Sequence, residues 1–169
     1  MTIIYSHYEI DIPKYRSWFD FSFTEEGVFI PVNIKITETT RADNLNAKLG
    51  MYYALTGLLP DFPNEINWLN YFEILSDNMG KNKKRDYYFL VVNKNNTNDV
   101  FINSLKCLRK LVPNGNNIPF QCRWIDNKNP IQRNFSQSKR FLLSNFGKSI
   151  KLRAEIYFQF KKYFREYVI

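Results

Sequence analysis

Three polar residues near the N-terminus are of types that could together hydrolyse a phosphodiester. Asn33 and Lys35 interrupt the apolar run "FIPVNIKIT", and Asp20 lies in the aromatic segment before it. A carboxylate and an amide oxygen are hard ligands suited to Mg²⁺, which polarises a phosphate and lowers the pKa of a bound water. An ammonium can orient or help deprotonate that water and stabilise charge in the transition state. The backbone carbonyl of Ile34 is a further candidate ligand.

The elements around these residues predict that they meet on one face of a sheet. Residues about 15 to 23 and about 28 to 37 are strand-like and are joined by the turn "TEEG". A hairpin centred on that turn brings Asp20 within one or two residues of Asn33 across the ladder. Asn33 and Lys35 are two positions apart, so their side chains share a face.

The rest of the chain predicts strands interleaved with helices. An apolar stripe at helical spacing over residues about 40 to 57 predicts a helix that ends at Gly57. Strands are expected over "NWLNYFEIL", "RDYYFLVVNK" and "IPFQCRW", and a helix capped by Asp99 over "VFINSLKCLRKLV". One short and one long helix are expected from about Phe135. This order predicts an α/β or α+β fold, with a central mixed β-sheet flanked by helices.

The composition narrows the classes of protein. The 169 residues are 44% hydrophobic, which suits one domain with a sizeable core. A net charge of +8 favours a polyanionic partner. There is no apolar run of bilayer-spanning length, no signal-peptide pattern and no metal-ligand spacing of the two cysteines, so we predict a cytoplasmic protein without zinc.

The hairpin and the helix after it resemble the PD-(D/E)XK nucleases, and among these the type II restriction endonucleases. In that family a first Asp precedes a strand carrying (D/E)-X-K, and a helix follows. Here Asp20 matches the first Asp, and "PVNIK" matches the second motif with Asn33 in the acidic position. A minority of restriction enzymes carry Asn there, and "RADNLNAKLGMYYALTG" is similar to their sequences. The specific likeness covers about residues 18 to 58, and Phe19 replaces the usual proline.

The resemblance implies a Mg²⁺-dependent endonuclease that cuts both strands of double-stranded DNA at a short specific site. It also implies a restriction-endonuclease-like fold, a homodimer matched to a palindromic target, and a cognate methyltransferase. The catalytic residues would be Asp20, Asn33 and Lys35, and the metal ligands Asp20, Asn33 and Ile34. We expect a single nuclease domain over residues 1–169, either naturally compact or lacking an N-terminal segment that many family members have.

Basic and amide side chains outside the motif are candidate DNA contacts. The basic run "GKNKKRD" would hold phosphates, and the loops "PNGNN" and "DNKNPIQR" carry groups that can read base edges. Solvated loops are the competing interpretation of each. The predicted contacts are Arg41, Lys48, Lys81, Lys83, Lys84, Arg85, Asn116, Asn117, Lys128 and Arg133.

Several alternatives stay open at this point. Asp11 could be the first acid, because "EIDIP" is also strand-like, although it lies farther from the hairpin. Glu38 and Asp43 could reach a metal through water, but capping of the next helix is favoured. The C-terminal "KLRAEIYFQFKKYFREY" could lie on a membrane as a basic amphipathic helix, but its aromatics favour core or dimer contacts.

Two other functions compete with the nuclease hypothesis. A decayed or truncated nuclease would bind DNA with steep salt dependence and never cut it. A structural or interaction protein with incidental basic charge would bind no DNA at physiological salt. The amide at Asn33 is the feature that favours the first of these.

Overall fold

Strands and helices alternate along the chain in a computed structural model that describes residues 9–14, 17–62 and 66–168. Within those residues there are seven strands and three α-helices, which confirms the predicted mixed sheet flanked by helices. The strands are β1 Ile10–Asp11, β2 Phe21–Glu25, β3 Val28–Thr37, β4 Ala42–Asn44, β5 Tyr88–Asn93, β6 Asn96–Ser104 and β7 Gln121–Arg123. The helices are α1 Lys48–Thr56, α2 Trp68–Asn78 and α3 Phe135–Tyr163.

The main sheet has the strand order β1-β2-β3-β5-β6, and a small second sheet pairs β4 with β7. Strands β3 and β5 run parallel, and all other neighbours are antiparallel. The predicted hairpin is confirmed, with Phe21 opposite Val32 and Gly27 at positive φ in the turn. Residues 15 and 16 of the first predicted strand lie outside the described residues. Strand β2 begins only at Phe21.

The helix predicted from residue 40 begins at Lys48, so the first part of that prediction is wrong. Ala42–Asn44 forms β4 instead, because it pairs with β7. The proposed capping role of Asp43 is therefore also wrong, since the residue preceding α1 is Ala47, which makes no side-chain cap bond. Gly57 ends the helix in the left-handed conformation, as predicted.

Two elements have the opposite type from the prediction. The aromatic stretch after Asn67 is helix α2, not a strand, because Tyr71 and Leu75 place one buried ridge at helical spacing. Asn67 caps it by accepting the N–H groups of its first turn. The helix predicted after Asp99 is strand β6 followed by a short 3-10 turn, because β6 pairs with β5 along its length. Asp99 binds Lys128 rather than capping a helix.

One face of the main sheet is covered and the other is open. Phe89 and Val91 of β5 are fully buried in the core with α1, α2 and the first half of α3. On the opposite face Ile36 and Ile102 remain exposed. The two helices predicted at the C-terminus are one, α3, which begins with a capping box between Asn134 and Gln137.

Candidate active site

Asp20 and Asn33 contact each other beside β3, directly before the first residue of β2. The Asp20 N–H donates to the Val32 carbonyl at 2.9 Å, which extends the hairpin ladder by one bond. The Asp20 Oδ2 accepts from the Asn33 side-chain amide at 2.8 Å and from the Ile34 N–H at 2.6 Å. The carboxylate thus takes the place of a further strand residue, and the hairpin register fixes its position.

The segment that carries Asp20 is held by aromatic packing. The Tyr87 hydroxyl donates to the Trp18 carbonyl at 2.5 Å, and the Trp18 ring packs against Phe29, Tyr53 and Tyr87. Burial raises the pKa of Tyr87, and the nearby charge of Asp20 raises it further. Asp20 is exposed, but the chain leading to it is anchored in the core, so the site is pre-organised.

The Asn33 amide leaves one polar atom without a partner. Its NH₂ is used by Asp20, whereas its Oδ1 is buried and accepts no hydrogen bond. An unsatisfied buried acceptor costs about 1–3 kcal/mol, so this oxygen gains from a water or a cation. No other side-chain nitrogen or oxygen in the described stretch 20–37 is both buried and without a partner.

The donors fit Mg²⁺ held by few protein ligands. Carboxylate and amide oxygens suit this ion, and Mg²⁺ retains several waters, so a small protein donor set is enough. In the described residues no group of three or more His, Cys, Asp or Glu could hold a metal, and Asp20 is the carboxylate that contacts Asn33. The Asn33 oxygen would face a cation beside Asp20 only if the amide turned over.

Lys35 lies on the same face of β3 as Asn33, beside the buried Val91 of β5. Its ammonium donates to the Asn44 carbonyl at the end of β4, at 2.8 Å. Burial raises the pKa of the Cys122 thiol, and the nearby charge of Lys35 opposes that shift, so the ammonium also lies close to β7. An ammonium has three N–H donors, and the Asn44 contact uses one.

The three other acidic candidates lie in different surroundings. Asp11 is exposed on edge strand β1, which β2 separates from β3. Glu38 forms two ion pairs, and the hydrogen bond from one of these cations holds its pKa below the usual range. Asp43 accepts an indole N–H at 2.8 Å. Asp11 lies opposite Ser22 in the ladder of β1 and β2. Glu38 pairs with Arg41 and Lys94, and the indole that donates to Asp43 belongs to Trp124.

The structure brings three of the predicted DNA contacts together. Lys48, Asn116 and Asn117 line one cleft of about 190 Å³, and the sequence prediction missed the other residues that line it. Lys48 lies over the Trp68 ring at 5.2 Å, and Arg153 donates to the carbonyl of Asn116 at 2.8 Å. The missed lining residues are Asn46, Trp68, Ile118 and Arg153.

Three further predicted contacts, Lys83, Lys84 and Arg133, line a second cleft of about 390 Å³. One nitrogen of the Arg133 guanidinium is already hydrogen-bonded there, because its Nη1 donates to the carbonyls of Lys106 and Leu108 at 3.0 and 2.8 Å. The exposed side chains of Lys83 and Lys84 are the cations of this cleft that can reach an anion.

Four predicted contacts join neither cleft. Arg41 pairs with Glu38 at 2.6 Å, and Lys128 pairs with Asp99 at 2.7 Å. Lys81 donates to the Asn78 side chain at 2.5 Å. The Arg85 Nη1 is buried without a partner. A larger cleft of about 760 Å³ beside β1 and β2 is lined by Asp11, the alternative first acid, and by none of the predicted catalytic residues or DNA contacts.

No protein-family model matches the chain, and no curated protein shows significant similarity to it. Among the residues that the structure describes, we find no helix with both the length and the apolar character needed to cross a membrane. The geometry around Asp20, together with the sequence motif, is therefore what supports a function.

Proposed function

We propose that this chain is a Mg²⁺-dependent type II restriction endonuclease with a restriction-endonuclease-like fold. It would hydrolyse both strands of double-stranded DNA at a short specific site, as a homodimer in the cytoplasm, with a cognate methyltransferase protecting the host. The observation that carries the proposal is the contact between Asp20 and Asn33 at an open strand edge, with Lys35 on the same face.

Each residue has a distinct role in this proposal. Asp20 and, with the amide turned over, the Asn33 oxygen would hold the metal, with the Ile34 carbonyl as a further ligand, and bound Mg²⁺ supplies a water of lowered pKa. Lys35 would orient that water or stabilise charge on the phosphate, with the ammonium positioned by the Asn44 carbonyl. Lys48, Asn116 and Asn117 would contact DNA from the cleft beside the start of α1.

The test is incubation with unmethylated plasmid and phage DNA in Mg²⁺, Mn²⁺ and EDTA in parallel. We expect discrete fragments with metal and none with EDTA. The variant Asp20→Asn should abolish the fragments, whereas Asp11→Asn, a strand acid outside the site, should cut like the unmodified protein. Equal cutting by Asp20→Asn and the unmodified protein would rule out this site.

One observation favours a second candidate, a DNA-binding protein of the nuclease fold that does not cut. The Asn33 amide donates to Asp20 through its NH₂, so a neutral donor occupies a carboxylate oxygen where a second acid would add charge to attract a cation. Such a protein would shift the same DNA on a gel, with affinity falling steeply as salt rises, and leave it intact in every metal.

A further inference from the structure

The apolar side of α3 is buried in the first half of the helix and continues, uncovered, along the second half. In the first half, Leu142 and Phe146 are buried, and Phe146 packs against the aromatic rings of α2. Among the described residues, the last hydrogen bond from this helix to the body is at Arg153, whose guanidinium donates to the carbonyls of Gly115 and Asn116. From Arg153 onward every helical residue is exposed, although the apolar pattern does not stop.

The exposed half is amphipathic. Apolar residues recur at intervals of four and are flanked by two tyrosines, which makes an uncovered stripe on the side that is core in the first half. We call this set the outer stripe: Leu152, Ile156, Tyr157, Phe160, Tyr163 and Phe164. The charged residues lie mainly on the other side of the helix: Lys148, Lys151, Glu155, Lys161 and Lys162.

The outer stripe is large enough for a specific contact. Its members are between 42% and 71% exposed. Since one aromatic side chain can bury roughly 150–250 Å², covering the stripe would remove roughly 600 Å² from water. Two copies joined through it would bury about 1,200 Å² in total, which reaches the lower bound for specific protein interfaces.

We infer that the outer stripe is the contact surface between two copies of this chain. The body of the protein lies on the same side of α3 as the stripe, because the first half of the helix packs there and Arg153 holds the 114–117 loop there. A flat surface such as a bilayer meets that body before it reaches the stripe. A second helix is narrow enough to fit into the corner between the projecting half of α3 and the body.

A second copy supplies such a helix, together with an identical corner between its own helix and body. Two projecting halves packed antiparallel around a two-fold axis place the tip of each helix against the body of the other copy, and the same residues are covered on both sides. Antiparallel packing also sets the helix dipoles in opposite directions. This contact would be the dimer of the proposed nuclease, but it is inferred without reference to DNA or metal.

The experiment is sedimentation velocity of the full chain over a concentration series, without DNA or metal. We expect a species of twice the 20.3 kDa chain mass. The double variant Ile156→Glu/Phe160→Glu should raise the dimer dissociation constant at least about 100-fold. Phe158→Glu is the matched control, because Phe158 is 63% exposed on the same half of the helix but lies outside the stripe. It should leave the dimer unchanged.

The outcomes separate this inference from the proposed nuclease. A monomer at every concentration, or a dimer equally strong in the double variant, overturns the inference and leaves DNA cleavage to be judged on its own assay. A monomer that floats with anionic vesicles through Phe160 also overturns it, in favour of a membrane. Circular dichroism checks that the variants keep the helix.

Cross-linking gives a second measurement that does not depend on weakening the contact. Single cysteines at Tyr157, Phe160 and Phe164 are introduced with the half-buried Cys107 replaced by Ser. In a two-fold contact the position nearest the axis meets its own copy, so at least one of the three should form an intermolecular disulfide. Phe158→Cys should not, and equal cross-linking at all four positions would mean random collision.

Discussion

The main sheet carries two acid–lysine groups that differ in how completely they are satisfied. Asp86 precedes β5 and is buried with Lys106, which follows β6. The Asp86 Oδ1 accepts the N–H groups of Tyr87 and Lys106, and the Lys106 ammonium donates to the carbonyls of Lys83 and Arg85. By contrast, Asp20 is exposed beside β3, the strand that also carries Lys35, and Asn33 in that strand keeps a buried oxygen without a partner.

The difference shows what each group is suited to do. Burial raises the pKa of Asp86 to about 6 and lowers the pKa of Lys106, so this pair is held in place at an energetic cost. The hydrogen bonds of this closed group join the ends of β5 and β6 beside the second cleft and occupy most of its polar atoms. In the open group at Asp20 the carboxylate is exposed and the buried Asn33 oxygen beside it lacks a partner, so this group keeps unused capacity for a ligand.

Breaking the closed pair should have the largest effect. Lys106→Met removes two charged hydrogen bonds, to the carbonyls of Lys83 and Arg85, and the positive charge near Asp86, and we expect a loss of about 3–5 kcal/mol in the free energy of unfolding. Urea denaturation at pH 7 measures it. The double variant Lys106→Met/Asp86→Asn should recover part of the loss. A change below about 1 kcal/mol in Lys106→Met would mean that the pair is not coupled.

Removing the lysine of the open group should act on activity instead. In Lys35→Met we expect DNA cleavage to fall by about 10²–10³-fold, equivalent to about 2.7–4 kcal/mol, because the transition state loses one fixed cation. Single-turnover cleavage in saturating Mg²⁺ measures it. The free energy of unfolding should change much less than in Lys106→Met. A stability loss as large as in Lys106→Met would remove the distinction between the two groups.

The closed group should also appear as a pH dependence of stability. Folding raises the pKa of Asp86 from 3.8 to about 6, so its stabilising contribution is fully present below pH 3.8 and is lost as the pH rises through about 6. The loss is roughly 3 kcal/mol. Unfolding free energies from pH 4 to 7, compared with those of Asp86→Asn, isolate it.

Comparing the two pH profiles cancels the contributions of the other carboxylates to the pH dependence of stability. The pKa values of Glu38 and Asp99 are lowered by ion-pairing lysines, so their contributions have the opposite sign and are common to both proteins. Parallel pH profiles of the unmodified protein and Asp86→Asn would show that Asp86 titrates alike in the folded and unfolded chains.

The smallest expected effect tests whether the group at Asp20 binds the metal. Asn33→Asp replaces the amide contact with Asp20 by a second charge, and we expect Mg²⁺ affinity to rise about tenfold, or about 1.4 kcal/mol. Calorimetric titration with Mg²⁺ measures it directly. Asn46→Asp, in the cleft beside α1, is the control and should leave the affinity unchanged. Unchanged affinity in Asn33→Asp would place the metal elsewhere.

The sequence predicts the open group well because its geometry is local. Turn chemistry and two-residue alternation set the register of β2 on β3, and the register brings Asp20 to Asn33. The closed group was not predicted, because Asp86 and Lys106 are joined only by the pairing of β5 with β6. The Lys35 contact with Asn44 was missed for a related reason: the 42–44 segment pairs with distant β7 and is not helical.

The errors in element type have a similar origin. The segment that forms α2 is rich in aromatic residues, which favour strands, but its burial against α3 follows helical spacing. The segment that forms β6 carries Val100, Phe101 and Ile102 in a row, and neither period is evident from one sequence. In both cases a tertiary neighbour decides between two locally acceptable structures.

Gly50, in the middle of α1, limits which sequences can keep this site. A Cβ there would lie 2.4 Å from the Tyr87 ring, so the ring rests directly on the backbone of the helix. The same Tyr87 holds the carbonyl of Trp18, two residues before Asp20. Natural variation should therefore leave Gly50 and Tyr87 unchanged together, even where neighbouring surface residues drift freely.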